Sequence, residues 1–162
     1  MKQDQTPPFK FSHTGFKNRV LKEYHLADCN PSKNPSQTVS LGFDRDGVPF
    51  SENWEYASIT GMLILLAKNY RPDIAYALHQ CARFTNLPKT SHGDAVKHTI
   101  RYLQGTKDKD IIIYPIKTLQ VDCHVDAEFS GLRNMEHEQD LTCVKSCTWF
   151  FILFINCPLL WK

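Results

Sequence analysis

Long apolar runs, closely paired cysteines and a large excess of charge are all missing from this 162-residue chain. Each gap removes a class of protein. The longest apolar stretch, Trp149–Ile155, is far short of the ~18 residues that span a bilayer, so no membrane partner is expected. The opening Met-Lys-Gln-Asp-Gln-Thr-Pro-Pro has no apolar segment behind its charge. That is not a secretory signal, and the expectation is an intracellular, non-secreted protein. Six cysteines occur without a C-x-x-C pair. They read as reduced, buried thiols, against a competing zinc site built on Cys143 and Cys147 with a neighbouring histidine. A net charge of +2 and a pI near 8.2 neither demand nor exclude nucleic acid. The apolar fraction of 42% and charged fraction of 22% are those of a soluble globular chain, long enough for one ordinary domain or two partial ones.

Residues 1–50 carry many breakers, among them Pro7, Pro8, Gly15, Pro31, Pro35, Gly42, Gly47 and Pro49. One amphipathic piece, Asn18–Leu26, fits two helical turns with Val20, Leu21, Tyr24 and Leu26 inward. It should stop before Asp28-Cys-Asn-Pro31, because proline disfavours the α conformation at Asn30. Residues 32–49 read as an extended connector. Within it, Asp44-Arg-Asp-Gly47 signals a turn in which glycine supplies a positive φ.

Three helical segments follow. The first is expected from Ser51 or Glu52 to Lys68, with Ile59, Met62, Leu63 and Leu66 on one face. Gly61 inside it costs about 1 kcal/mol against alanine and calls for a closely packed neighbour. The second opens at Arg71-Pro72-Asp73, where proline suits the first turn and the carboxylate suits the positive end of the helix dipole. Its inward stripe is Ile74, Ala77, Leu78 and Cys81, and Pro88 closes the segment. Ser91-His-Gly-Asp94 is a capping-box variant for the third, with Val96, Ile100 and Leu103 inward and Gly105 as its stop.

Beyond Thr106 the apolar period changes to two. Ile111–Tyr114 reads as a short strand. Leu119, Val121, Cys123, Val125 and Ala127 alternate with Gln120, Asp122, His124, Asp126 and Glu128, which predicts a half-buried strand with one polar face. Arg133–Thr142 is a charged connector. Thr148–Ile155, apolar almost throughout, predicts a strand buried on both faces and ended by Pro158. Uncovered, its Trp149–Ile155 core would be an aggregation site.

Several motifs in order resemble the Pol polyprotein of copia-type retrotransposons over most of the chain. They are Asp28-Cys-Asn-Pro31 with Pro35, then Trp54, Tyr56, Ser58, Gly61 and Leu63 of a W-x-Y-x-S-x-x-G-x-L block. Arg71-Pro-Asp-Ile-Ala75, His79-Gln-Cys-Ala-Arg-Phe84, Arg101-Tyr-Leu-Gln-Gly-Thr106 and Val125-Asp-Ala-Glu-Phe-Ser-Gly131 complete the set. The resemblance implies an α+β chain in three parts. Residues 1–50 would be an irregular arm and connector from the reverse transcriptase. Residues 51–107 would be a three-helix thumb-and-connection module, and residues 108–162 the truncated start of a ribonuclease H-like sheet. The catalytic Y-x-D-D of the polymerase palm is expected upstream of Met1, and the rest of the ribonuclease H acids beyond Lys162. The last residues, Asn156-Cys-Pro-Leu-Leu-Trp-Lys162, would be the second or third strand of that domain.

By the same resemblance, Asp126 descends from the first metal-binding carboxylate of ribonuclease H. That chemistry uses two Mg²⁺ ions about 3.5–4 Å apart, held by carboxylates from several elements. Asp126 and Glu128 share a strand face but stand roughly 6.6 Å apart along it, too few and too far to build the cluster. Mg²⁺ therefore belongs to the intact family, and none is expected for this fragment. The competing reading of Asp126 is a carboxylate on an exposed sheet face, and Asp122 and His124 read as solvated polar residues. Lys97, His98, Arg101, Lys107 and Lys109 put basic charge along the third helix and just beyond. Lys97, Arg101 and Lys107 either face the phosphates of an RNA–DNA hybrid or template–primer duplex or simply cover a solvated helix. Arg71 reads as a structural arginine, and Trp54 and Tyr56 as core or hinge residues. The chain departs from the family pattern at Val125, Glu128 and Phe129, and at Cys147-Thr-Trp-Phe150 in place of R-T-G-Y. Trp149 there adds bulk where a glycine allows close approach. Two functions remain open at this point. One is a Pol fragment without catalytic activity of its own, whose partner is the rest of the polyprotein. The other is a noncatalytic helical module that binds nucleic acid or protein.

Overall fold

A computed structural model describes residues 8–12, 14–23, 29–37, 41–114, 119–128, 147–155 and 157–161, excluding the side chains of Glu23, Glu128 and Cys147. Tyr24, Leu26, Asp28, Phe129, the connector Arg133–Thr142 and Cys143 lie outside that set. The described elements make an α+β chain. In order they are β1 (Phe9–Phe11), α1 (Thr14–Glu23), α2 (Tyr56–Asn69), a 3-10 turn (Pro72–Ile74), α3 (Ala75–Ala82), α4 (Thr90–Gly105), β2 (Ile111–Ile113), β3 (Val121–Glu128), β4 (Cys147–Phe154) and β5 (Cys157–Trp161).

The helices form around the stripes that their spacing predicts. Ile59, Leu63 and Leu66 of α2, Ile74 of the turn, Leu78 and Cys81 of α3, and Val96, Ile100 and Leu103 of α4 share one buried cluster. Val20 and Leu21 of α1 join it, whereas Met62 is only half-buried. At about 25 cal/mol per Å² of apolar area removed from water, this cluster is the main source of stability among the helices.

Helix boundaries differ from expectation for local reasons. α2 starts at Tyr56, not at Ser51 or Glu52, because residues 48–50 run alongside residues 88–90. Phe50 N donates to Pro88 O at 3.0 Å and Thr90 N to Val48 O at 3.0 Å. Phe50, Trp54 and Tyr56 then pack ring to ring, with centroids 4.5 Å and 5.7 Å from Phe50, which holds the approach outside helical geometry. α3 ends at Ala82, well before Pro88, where the Thr85 hydroxyl donates to Ala82 O at 2.6 Å. α4 takes Lys89, not Ser91, as its N-cap. The Lys89 amide donates to His92 Nδ1 at 3.0 Å, and the Ser91 hydroxyl donates instead to Asp44 at 2.7 Å.

The glycines act differently from the sequence reading. No described glycine has a positive φ, so Gly47 is not serving the Asp44 turn by that means. A Cβ at Gly47 would instead collide with the Asp44 carboxylate. Gly105 lets α4 approach Pro31, which would stand 2.8 Å from an added Cβ. Around Gly61 there is open space, not the close neighbour its position suggested.

β1, absent from the sequence expectations, pairs antiparallel with β2, Phe9 opposite Ile113. β3, β4 and β5 form an antiparallel sheet in that order. Pro158 does not end the chain's strands. It sits inside β5, an edge strand, where a missing N–H is tolerated. β4 is half-buried along most of its length, not buried on both faces, and Phe154 is exposed.

The β3 alternation is present, but its apolar side is uncovered: Val121 is 64% exposed and Val125 66%. Asp126 lies opposite Trp149, so the polar face of β3 shares the side of the sheet that meets the helices. Trp149 packs near Tyr76 and His79 of α3, with ring centroids 6.3 Å and 5.5 Å away. On the same face Trp161 donates its indole N–H to Ala67 O at 2.9 Å. Trp149 is thus a docking residue between sheet and helix. Among the described cysteines, Cys81 is buried but Cys123 is exposed, so burial is not general to them.

Candidate functional site

The most tightly bonded polar group joins two of the sequence motifs. α2 ends at Asn69, and Arg71 then turns inward at the mouth of the 3-10 segment, 4% exposed. Its guanidinium forks onto Asp73, Nε to Oδ1 at 2.9 Å and Nη2 to Oδ2 at 2.8 Å. The same group donates to Thr106 O at 3.1 Å and Thr106 Oγ1 at 2.6 Å. Tyr102 donates its hydroxyl to Asp73 Oδ2 at 2.8 Å, and its ring lies 5.6 Å from the guanidinium carbon. Burial raises the Asp73 carboxyl, but Arg71 and Tyr102 outweigh it and hold it below its ordinary range. Burial, then Asp73, pushes the Tyr102 phenol up. Arg71 is therefore the structural arginine that its position suggested.

Other motif residues are also turned inward. Tyr56 donates its hydroxyl to Cys81 O at 2.8 Å, and burial first of all raises its phenol. Burial pushes the Cys81 thiol up to about 12, a value that leaves it protonated and unreactive at neutral pH. His92, 1% exposed, stacks on Phe84 at 4.0 Å. Since Nδ1 accepts from the Lys89 amide, Nε2 carries the proton and donates to Gly42 O at 3.1 Å. Burial lowers its pKa. The ring is a neutral structural bridge.

The basic residues of α4 do not form one open surface. Lys97 pairs with Glu52 and lies 4.0 Å from Asp94. Arg101 donates to Asn30 O at 3.0 Å. His98 bonds Ser32 at 3.0 Å, Ser32 N reaches Arg101 O at 3.2 Å, and Thr99 donates to Pro35 O at 3.0 Å. Residues 30–35 thus lie along this part of α4 and occupy polar groups that a phosphate would otherwise meet. Lys107 and Lys109 are exposed beyond the helix end.

Asp126 is exposed and lines a shallow cavity of about 580 Å³ with Ala127, Trp149 and Tyr76. Tyr76 and Trp149 had no place in the sequence reading of this site, and their only signal was the unusual bulk at Trp149. No group of three or more His, Cys, Asp or Glu side chains suited to a metal ion occurs among the described residues. Asp122 and His124 share the β3 face with Asp126 but do not assemble with it into such a group. A two-ion Mg²⁺ site needs several carboxylates around one point. The described residues supply one, so they do not fit the ions.

Comparison with known proteins finds several transposon polyproteins. The chain is 30% identical over 112 residues to the Retrovirus-related Pol polyprotein from transposon RE2 of Arabidopsis thaliana, covering 69% of this chain and 8% of that protein. It is 35% identical over 97 residues to the corresponding polyprotein from transposon RE1 of the same plant, covering 60% of this chain and 6% of the relative. With the polyprotein from transposon TNT 1-94 of Nicotiana tabacum it shares 30% identity over 156 residues, 89% of this chain and 11% of the relative. The chain therefore spans a small part of these proteins. No family model matches it, and neither does a solved structure.

Proposed function

Because the chain belongs with the copia-type transposon Pol polyproteins, we propose that it is a noncatalytic scaffold from the reverse transcriptase–ribonuclease H region of such a polyprotein. In this reading residues 51–107 are the thumb-and-connection module, residues 1–50 the arm that leads into it, and residues 108–162 the opening strands of the ribonuclease H part. The partner is the remainder of the polyprotein, and the setting is intracellular.

One observation carries the reading. The motif residues Arg71, Asp73, Tyr102 and Thr106 spend their polar groups on one another, as parts of a scaffold do. The sequence contains no Y-x-D-D. Asp126, the one inherited catalytic candidate, has no described carboxylate cluster around it. No metal-dependent step is assigned to it. The test is an RNA–DNA hybrid incubated with the purified chain and Mg²⁺. No release of RNA fragments is expected. Cleavage that disappears in Asp126→Asn would overturn the proposal.

A second reading, binding of nucleic acid without catalysis, draws on exposed Lys107 and Lys109. Titrating a fluorescent RNA–DNA hybrid at low and high salt tests it, since phosphate contacts give an affinity that falls steeply with salt. Absence of salt-dependent binding removes that reading. Lys107→Glu should weaken the binding where it occurs.

A further inference from the structure

β3 is one edge of its sheet, and no described strand pairs with its outer side. The Ile155 amide donates to Gln120 O at 2.8 Å, one step beyond the Val121–Phe154 pair. Gln120 and Ile155 are therefore a directly hydrogen-bonded pair, which fixes the phase of the whole ladder. Even-numbered residues of β3 turn their backbone N–H and C=O groups toward β4. Val121, Cys123, Val125 and Ala127 turn theirs to the free edge.

Sheet edges are usually guarded by proline, charged side chains (lysine above all), a bulge or shortness. β3 runs eight residues in unbroken register with no proline, lysine or bulge, and its charges are the carboxylates Asp122, Asp126 and Glu128. The far edge is different. β5 carries Pro158, its pairing shifts register at Ile152/Leu153, and Trp161 is tied to Ala67. The open side of β3 also exposes Val121 and Val125.

We propose that β3 is a self-association edge, on which a second copy of this chain pairs antiparallel through Val121-Asp-Cys-His-Val125. The pentapeptide is complementary to itself when reversed about Cys123. A two-fold axis there sets Cys123 opposite its copy, Val121 opposite Val125, and Asp122 opposite His124, the last two pairs occurring twice. Paired residues share a sheet face, and this arrangement keeps apolar with apolar and acid with imidazole. It also matches the ladder phase, since the residues brought into direct backbone bonding are the ones whose groups point outward. Moving the axis one residue either way sets Asp122 against Asp126 or against its own copy, which like charge disfavours. The side chains therefore favour this register over its two neighbours. The result is a six-stranded sheet running through both copies.

Sedimentation equilibrium of the full 162-residue chain in reductant tests this, with a reversible monomer–dimer equilibrium expected. A short bis-maleimide, which adds one thiol S–H across each of its two double bonds, should give a covalent dimer that Cys123→Ser abolishes. The expected Cα separation of about 5.5 Å brings the two thiols within reach of such a linker. His124→Asp, which opposes like charges twice, should weaken dimerisation about tenfold. Adding Asp122→Lys to it should restore the dimer, with circular dichroism confirming that each variant is folded. A monomer at all concentrations overturns the proposal. So does a dimer indifferent to His124→Asp, one that the double variant fails to restore, or one without a Cys123-dependent cross-link.

Discussion

Removing the carboxylate of Asp73 tests the claim that two motifs are one structural unit. In Asp73→Ala the Arg71 guanidinium, 4% exposed, keeps only the Thr106 carbonyl and hydroxyl as hydrogen-bond acceptors. Tyr102 loses its acceptor as well. Breaking a buried ion pair from one side costs about 3–5 kcal/mol. The Asp73 side chain is 37% exposed, so water replaces part of what is lost, and about 2–3 kcal/mol is the expected figure. Tyr102→Phe removes one hydrogen bond to the same carboxylate and should cost about 1–1.5 kcal/mol. The double variant should fall short of the sum, because both changes break the same bond. Urea unfolding reads all three, provided the denaturant slope is unchanged. Asp73→Ala within about 0.5 kcal/mol of the parent would refute the reasoning, because an exposed surface pair behaves that way.

Three further outcomes follow from single sites. Gly61→Ala should stabilise the chain by about 0.8–1 kcal/mol, since an added methyl meets nothing within 4 Å and alanine is the better helix former. Gly93→Ala should do the reverse by about 1–3 kcal/mol, because the new Cβ would stand 2.5 Å from the Phe50 ring, and urea midpoints separate the two. Stability should also decline as pH falls below about 6.5. His92 is held neutral by burial, so the unfolded chain takes up its proton first and the loss grows down to the lowered folded value. Comparing thermal unfolding across that window with His92→Gln checks the assignment, the variant losing that part of the slope.

Helix faces were legible because one physical rule governs them: Ile59, Leu63, Ile100 and Leu103 recur at the spacing of a single buried stripe. Helix ends were less so, because they depend on partners distant in sequence. Ser91 looks like a cap until Asp44 claims its hydroxyl, and Ser51–Glu55 look helical until Phe50 and Pro88 fix their path. The basic charge of α4 was legible, but its engagement by other segments was hidden for the same reason. Nothing in the spacing of Lys97 and Arg101 says that Glu52 and Asn30 will meet them. Asp126 could be located on its strand from alternation alone, but its neighbours Tyr76 and Trp149 come from separate elements.

The sheet shows a limit of alternation itself. A period of two says that the faces of β3 differ, and ordinary transfer energies favour burying the one with Val121 and Val125. The sheet is docked the other way. Its central strand β4 is apolar on both sides, so hydropathy along β4 does not choose a face. What distinguishes its sides is bulk: Trp149 on β4 and Trp161 on β5 project from the same face and reach α3 and α2. Two large aromatic anchors with one indole hydrogen bond outweigh the two exposed valines of the edge strand. Asp126 is carried to the helix side as a consequence, into the cavity beside Trp149. The same inversion leaves Val121 and Val125 in water along the strand edge where self-complementary pairing is expected.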